Sequence, residues 1–206
     1  MNEETLAIQE MFPVSQVPIC GTLPKSTDGV HYYVAGDGLW RLVRTPWLSA
    51  LAPVAVSRKG VTPFGDLEEH VQVTASPPKH LWIDFLADAK KQFPLECAGV
   101  FAWNAGDGSW RYAPRNPLRA TGSFIAYEEP ALGADEIAVV DIHSHGRHAA
   151  FFSSTDDEDD RGAIKISMVV GNVDDVVTLA GRIVVLDHQY PLAVDGDGQW
   201  QIGARA

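Results

Sequence analysis

One stretch constrains this chain more than any other: Asp141-Ile142-His143-Ser144-His145-Gly146-Arg147-His148-Ala149-Ala150-Phe151-Phe152-Ser153-Ser154-Thr155-Asp156. It follows a run of strand formers, Ile137-Ala138-Val139-Val140, which predicts a buried strand ending near the histidines. Residues two apart on a strand point to the same face, so His143 and His145 converge on a point about as wide as a metal ion. Seven residues separate His145 from Ser153, and Asp156 follows three later. Ser-x-x-Asp, continued by Asp157, Glu158, Asp159 and Asp160, reads as a helix start: the serine caps a backbone N–H, and the acids suit the helix dipole. A strand end and a helix start can therefore bring His143, His145 and Asp156 together as three Zn ligands, with a fourth position open to water. Each residue also has a plainer reading. A His-x-His alone is a structural pair, and Asp156 is a capping-box residue, since one oxygen cannot easily serve both a cap and an ion. Ser153 is either the cap or an oxyanion donor, with Ser154 and Thr155 as alternative caps. Ser144 faces away from the two histidines, as a hydrogen bonder in the core or behind the ligands.

His-x-His, seven residues, Ser-x-x-Asp resembles the motif of the JAMM (MPN+) metalloproteases, whose domain is also called JAB. That family carries a glutamate upstream, near the start of a strand that follows a helix. Here Glu96 opens Glu96-Cys97-Ala98-Gly99-Val100-Phe101 directly after a helical pattern. The resemblance covers roughly Lys79 to Leu192. It implies an α/β fold, a sandwich like that of the zinc cytidine deaminases, and one Zn2+ per chain on His143, His145 and Asp156. It further implies Glu96 as the base and Ser153 as oxyanion support. The implied activity is a peptidase or isopeptidase acting on a flexible tail, such as the Gly-Gly C-terminus of a ubiquitin-like protein. Many members have proline after the second histidine, where this chain has Gly146; that position is not a ligand, so the departure concerns loop shape more than chemistry. A β-rich segment ahead of such a domain resembles the A proteins of bacterial PRTRC cassettes (ParB-related, ThiF-related). That layout implies a ThiF-like activating enzyme and a small ubiquitin-like protein as partners. The rival reading is a metal-free scaffold module, although scaffold relatives typically lack a ligand and this chain keeps them all. A small-molecule amide hydrolase on the same site differs only in substrate.

Other motifs weigh less. His143-x-His145-x-x-His148 approaches the His-x-His-x-Asp-His of metallo-β-lactamase-like hydrolases, but Arg147 fills the Asp slot and a cation there is unfavourable. The Pro-Cys-x-x-Cys of the zinc deaminases is absent. The net charge of −11 argues against a basic face for nucleic acid or anionic membrane, and favours basic partners. Two cysteines are too few for a disulfide framework, and Cys97 reads as a buried, inert thiol. With no leader-like pattern at the start and no apolar run of about 18 residues, a cytoplasmic protein is expected.

The 206 residues suffice for one good core or two small ones. The turn-forming Thr74-Ala75-Ser76-Pro77-Pro78 predicts a boundary between a β-rich domain, 1–76, and an α/β domain, 77–206. In the first, residues 1–30 read as a loosely ordered start with turn formers at Pro13, Pro18, Gly21, Pro24 and Gly29. His31–Val34 and Leu39–Val43 form a hairpin. Leu48–Val56 is a strand or covering segment, Gly60–Gly65 a loop and Leu67–Val73 a strand. Tyr32, Tyr33, Trp40 and Trp47 are core residues or a partner-binding face. In the second, helical spacing of Leu81, Phe85 and Ala89 predicts a helix over Lys79–Gln92. Strands follow at Glu96–Trp103, Trp110–Ala113, Ser123–Tyr127 and Ile137–Ile142, with a break at Asn116-Pro117. Then come a helix at Ser153–Ala163 and strands at Ile164–Val170, Val176–Leu186 and Gln199–Ile202. The sheet face beneath the second helix is expected to be apolar, with Val139, Ile166 and Val169 on it.

Overall fold

A computed structural model describes residues 3–20, 22–23, 25–57, 62–120, 125–196 and 199–205. Gly21, Pro24, Gly60, Val61, Ser123 and Phe124, which enter the readings above, lie outside the described residues. The chain divides into two compact units, Met1–Ala75 and Ser76–Ala206.

The first unit opens on helix α1 (Glu3–Met11) rather than a loose start. Its Ala7-Ile8-Gln9-Glu10 run holds good helix formers, with Glu4 in the first turn where the dipole favours an acid. Five strands follow: β1 (Val14–Gln16), β2 (Gly29–Ala35), β3 (Gly38–Arg44), β4 (Leu48–Val56) and β5 (His70–Val73). They pair in chain order, all antiparallel except β1 on β2. Tyr33, Trp40 and Trp47 are buried, and the first two pack with Val17, Leu42 and Leu51. These aromatics are core, and only Tyr32 of the four is half-buried.

The second unit begins with α2 (Lys79–Gln92), then β6 (Ala98–Asn104), β7 (Trp110–Pro114), β8 (Asn116–Ala120), β9 (Ile125–Glu128) and β10 (Glu136–Ser144). It continues with α3 (Ser154–Asp160), β11 (Ile164–Gly171), β12 (Thr178–Val185), β13 (His188–Val194) and β14 (Trp200–Ile202). Seven strands form one sheet in the order β14-β13-β12-β11-β10-β6-β7, and among the described residues β8 pairs with β9 alone. The sheet is antiparallel except for β10 beside β11, whose crossover carries α3. This is the strand end at which open α/β sheets place ligands.

Several elements differ from the sequence reading, three of them for identifiable reasons. The break expected at Asn116-Pro117 is present, with β7 ending at Pro114, but the same residues open a further strand: β8 leaves the main sheet, and a register shift after Pro117 accommodates the missing N–H. Strand β13 was not anticipated because Pro191 sits inside it. Helix α3 stops at Asp160, and Gly162, at φ 78°, turns the chain toward β11.

Residues paired across a sheet share a face, and two adjacent rows differ sharply in chemistry. The row Tyr112, Phe101, Val140, Ile166, Ile183, Tyr190 is apolar, and its four central side chains are fully buried. Helix α2 packs on the β6–β7 end of this face with Leu81, Phe85 and Ala89, a stripe at helical spacing. Phe85 meets Tyr112 edge-on at 6.0 Å, and Trp82 meets Phe101 at 5.1 Å. The next row, on the opposite face, runs Ala113, Val100, Asp141, Ser167, Arg182, Pro191. The face expected to be apolar beneath the second helix is mixed: Val169, paired with His143, lies on it as expected, but so do Asp141, Ser167 and Arg182. Val139, Ile166 and Val169 are all buried, but Ile166 belongs to the α2 side. Among the described residues, no helix is long and apolar enough to cross a membrane.

Candidate metal centre

Strand β10 ends at Ser144, and alternation puts Asp141 and His143 on the face away from α2. Backbone bonds carry the chain on as if the strand continued: Ser144 N–H donates to Cys97 O at 2.8 Å, and His145 N–H donates to Val170 O at 2.8 Å. His145 thus keeps the orientation of His143, and their Nε2 atoms lie 3.1 Å apart. The ring of Phe151 meets His145 edge-on at 4.7 Å and restrains it. Gly146 then turns the chain at φ 53°, and a Cβ there would sit 2.8 Å from the Pro94 carbonyl. Proline cannot adopt a positive φ, so this loop has a shape of its own beside the second histidine.

The third group comes from α3. Ser153 is the N-cap, which removes Ser154 and Thr155 as alternatives. Its backbone N–H donates to Asp156 Oδ2 at 2.6 Å and its hydroxyl donates to the same oxygen at 2.7 Å. The Asp156 N–H returns a bond to Ser153 Oγ at 3.3 Å. The cap uses Oδ2 alone, and Oδ1 lies 3.3 Å from His143 Nε2. The conflict anticipated between cap and ligand is resolved by dividing the two oxygens. One ligand atom each from His143, His145 and Asp156 falls within 4.8 Å of the others. An ion bound tetrahedrally at about 2.0–2.1 Å holds its ligand atoms about 3.3 Å apart. The separations of 3.1 and 3.3 Å match that spacing.

Electrostatics agree with the donor set. Burial holds His143 below the ordinary imidazole range despite the nearby Asp156 and Asp141 carboxylates. Burial and then the His143 ring do the same for His145. Both rings are therefore neutral near pH 7 and keep lone pairs to offer. Glu96 lies just before β6. The register pairs His143 with Ala98, so two residues further back Glu96 comes opposite His145. Its side chain is 5% exposed, and burial with the Asp156 charge pushes its carboxyl up to about 7. Glu96, His143, His145, Ser153 and Asp156 line one cavity of about 410 Å³. His148 also lines it but stands outside the three-atom cluster.

A family model of prokaryotic homologs of the JAB domain matches residues 78–183, more than half of the chain. The chain belongs to the prokaryotic JAB-domain family. A second family model, a domain of unknown function (DUF2016), matches residues 2–74 ahead of the JAB domain. No curated protein matches the chain.

The JAB domain brings together all five residues singled out in the sequence, and adds a set of charges that the sequence reading did not single out. Arg115 pairs with Glu129 at 3.0 Å and with Asp141, and its guanidinium lies 4.2 Å over the Tyr127 ring. Burial works to raise the Asp141 pKa, but Arg115 and Lys165 overcome it and hold the group ionised below its ordinary range. The acidic run after Asp156 includes a fully buried member, Asp160, at 2% exposure. Strand alternation was the available signal: Asp141 falls in step with His143, and Lys165 and Ser167 alternate with Ile164, Ile166 and Met168. Cys97 is buried behind the site, its thiol pushed up to about 11 by burial and by Asp88, and neither cysteine is bridged. Its N–H donates to Ser144 Oγ at 3.0 Å, so Ser144 ties the two central strands together on the side away from the metal cluster.

Proposed function

We propose that this JAB protein is a Zn-dependent peptidase or isopeptidase. The observation that carries the reading is the cluster of His143, His145 and Asp156 ligand atoms within 4.8 Å, in one cavity with the buried Glu96 carboxyl. His143 Nε2, His145 Nε2 and Asp156 Oδ1 would hold the ion. A divalent ion there supplies Lewis acidity, polarising a scissile carbonyl and lowering the pKa of water toward ~7.

In the metal-free site burial and the Asp156 charge push the Glu96 carboxyl up to about 7, and a carboxyl placed here can both accept and return a proton. Its carboxylate takes the proton from the attacking water and delivers it to the departing amine. Ser153 donates its hydroxyl to Asp156 Oδ2 in the resting site. Turning that O–H away from Oδ2 aims it at the oxygen of a tetrahedral intermediate. Phe151 and Phe152 give the same cavity an apolar wall.

The substrate we propose is the flexible C-terminal tail of a ubiquitin-like protein or its conjugate, with a ThiF-like activating enzyme as a second partner. An extended tail can lie along a sheet edge and bind through backbone hydrogen bonds. The −11 net charge favours a basic partner surface and disfavours nucleic acid.

The deciding experiment is metal content by mass spectrometry on untagged wild type, His145→Ala and Glu96→Gln, followed by cleavage of a ubiquitin-like protein carrying a C-terminal fusion. Wild type should hold about one Zn2+ and cleave. His145→Ala should lose the metal, whereas Glu96→Gln should keep it and lose about 10²- to 10⁴-fold in rate. A wild type that takes up no Zn2+ after reconstitution, or full activity in Glu96→Gln, overturns the reading.

A further inference from the structure

Helix α3 supplies Asp156, yet its composition gives it no apolar face with which to dock. It has seven residues, Ser154 to Asp160, with no apolar side chain among them. A helix this short is unstable alone, and its five consecutive acids repel one another. Its one buried residue is Asp160, a single turn beyond Asp156. Asp160 Oδ1 accepts from Ser167 Oγ at 2.7 Å and faces Lys165 Nζ at 2.8 Å. Two nitrogens of Arg182, Nε and Nη2, approach Oδ2 at 2.7 and 2.6 Å. Arg182 Nη1 goes on to Asp157 at 2.6 Å, and the guanidinium lies 3.8 Å over the ring of Phe152, which precedes the Ser153 cap. Lys165 Nζ goes on to Asp141 Oδ2 at 3.0 Å, two residues before His143 on the same strand face. Ion pairs thus link the strand carrying one ligand to the helix carrying another.

We infer that Asp160, Arg182 and Lys165 form a positioning cluster that holds α3 where Asp156 Oδ1 stands 3.3 Å from His143 Nε2. The inference rests on the metal-site reading above. Buried ion pairs add little net stability compared with apolar packing, but they have fixed lengths and directions. Arg182 grips the helix at Asp157 and Asp160 and the incoming chain at Phe152, so tilt and translation are both restrained. Asp156 itself contributes only a local cap, which would travel with the helix if it moved.

The test is Zn2+ affinity of the full chain, measured by competition with a chromophoric chelator, with the melting temperature of the metal-free protein recorded in parallel. Asp160→Asn keeps the shape and removes the charge, and should weaken binding about 10- to 100-fold. Arg182→Lys leaves Asp160 a cation but cannot span both carboxylates, and should weaken binding about fivefold or more. Glu158→Gln removes the same charge from an exposed position on the same helix, and should stay within about twofold of wild type. If Asp160→Asn does not fold, Arg182→Lys decides. Affinity within about twofold of wild type in the folded variants, even with a lowered melting temperature, would make the cluster purely structural and overturn the inference. Equal weakening in Glu158→Gln would overturn it too, by assigning the effect to helix charge alone. A wild type that binds no Zn2+ is a separate failure, of the metal reading itself.

Discussion

The sheet of the JAB domain is held on its two faces by opposite means. On one face, α2 runs fourteen residues and docks through Leu81, Phe85 and Ala89 onto a row of apolar side chains. On the other, α3 runs seven residues and docks through a hydrogen bond and ion pairs onto a row containing Asp141, Ser167 and Arg182. Apolar packing is non-directional and stabilises in proportion to the area buried. Hydrogen-bonded ions contribute less net energy but specify distance and angle. The face that must only hold the fold together uses the first, and the face that gathers the three candidate ligand atoms uses the second. If this division is real, damage to the α2 face should appear as lost stability, and damage to the α3 face as lost chemistry.

The largest expected effect is on the α2 face. Phe85 is fully buried against Tyr112, so Phe85→Ala should cost about 3–5 kcal/mol in the second unit. Urea titration measures it, and the fraction still folded should bind Zn2+ with wild-type affinity. An affinity change as large as the stability change would erase the contrast between the faces. Next comes Glu96, whose raised pKa gives the α3 face a stability cost of its own. The folded carboxyl titrates at about 7 against an ordinary 4.5, so between those values the folded state binds more protons than the unfolded one. Stability of the metal-free protein should therefore fall as pH rises through that window. Glu96→Gln removes the penalty: near pH 8 it should be more stable than wild type by about 2–3 kcal/mol, and the two should converge below about pH 4.5. Parallel melting curves across pH would show no such convergence if Glu96 were already ionised in the fold.

The two faces were also unequally legible in the sequence. The α2 stripe and the strands beneath it follow from apolar periodicity, because each residue reports its own burial. The clustering of the candidate ligands was legible for another reason: strand alternation joins His143 to His145, and the Ser-x-x-Asp cap locates Asp156 at a helix start. What escaped was the cluster beneath α3. A buried Asp160 looks like its exposed neighbours Glu158 and Asp159, since its burial depends on Lys165, Ser167 and Arg182 arriving from two later strands. Strand β13 was hidden by Pro191, and α1 by the absence of an apolar stripe. The loop at Gly146 lay between. The sequence marks a departure from the family pattern there, but only the positive φ and the approach to Pro94 say why proline is absent.

Gly146 also sharpens the comparison, because it sits on the α3 side yet acts through backbone geometry. Gly146→Ala forces a Cβ to 2.8 Å from a carbonyl oxygen at φ 53°. It should cost about 1–2 kcal/mol and also displace His145, so Zn2+ affinity should fall along with the melting temperature. Wild-type values of both would mean that the loop adjusts freely and does not hold the second ligand.

Ser153→Ala carries the smallest expected change in stability and separates two roles of one hydroxyl. Without Oγ, the Asp156 N–H loses its 3.3 Å acceptor, and Asp156 Oδ2 keeps only the Ser153 backbone donor at 2.6 Å. A lost cap costs about 1 kcal/mol, too little to unfold the unit. If the hydroxyl serves only as cap, turnover at saturating Zn2+ should be nearly unchanged, because the metal repays the loosened helix start. If it also steadies the developing oxyanion, turnover should fall about 10²- to 10³-fold with KM little altered. Measuring stability, Zn2+ affinity and kcat on the same preparation distinguishes the two, since a cap acts on the first two quantities and an oxyanion donor on the third.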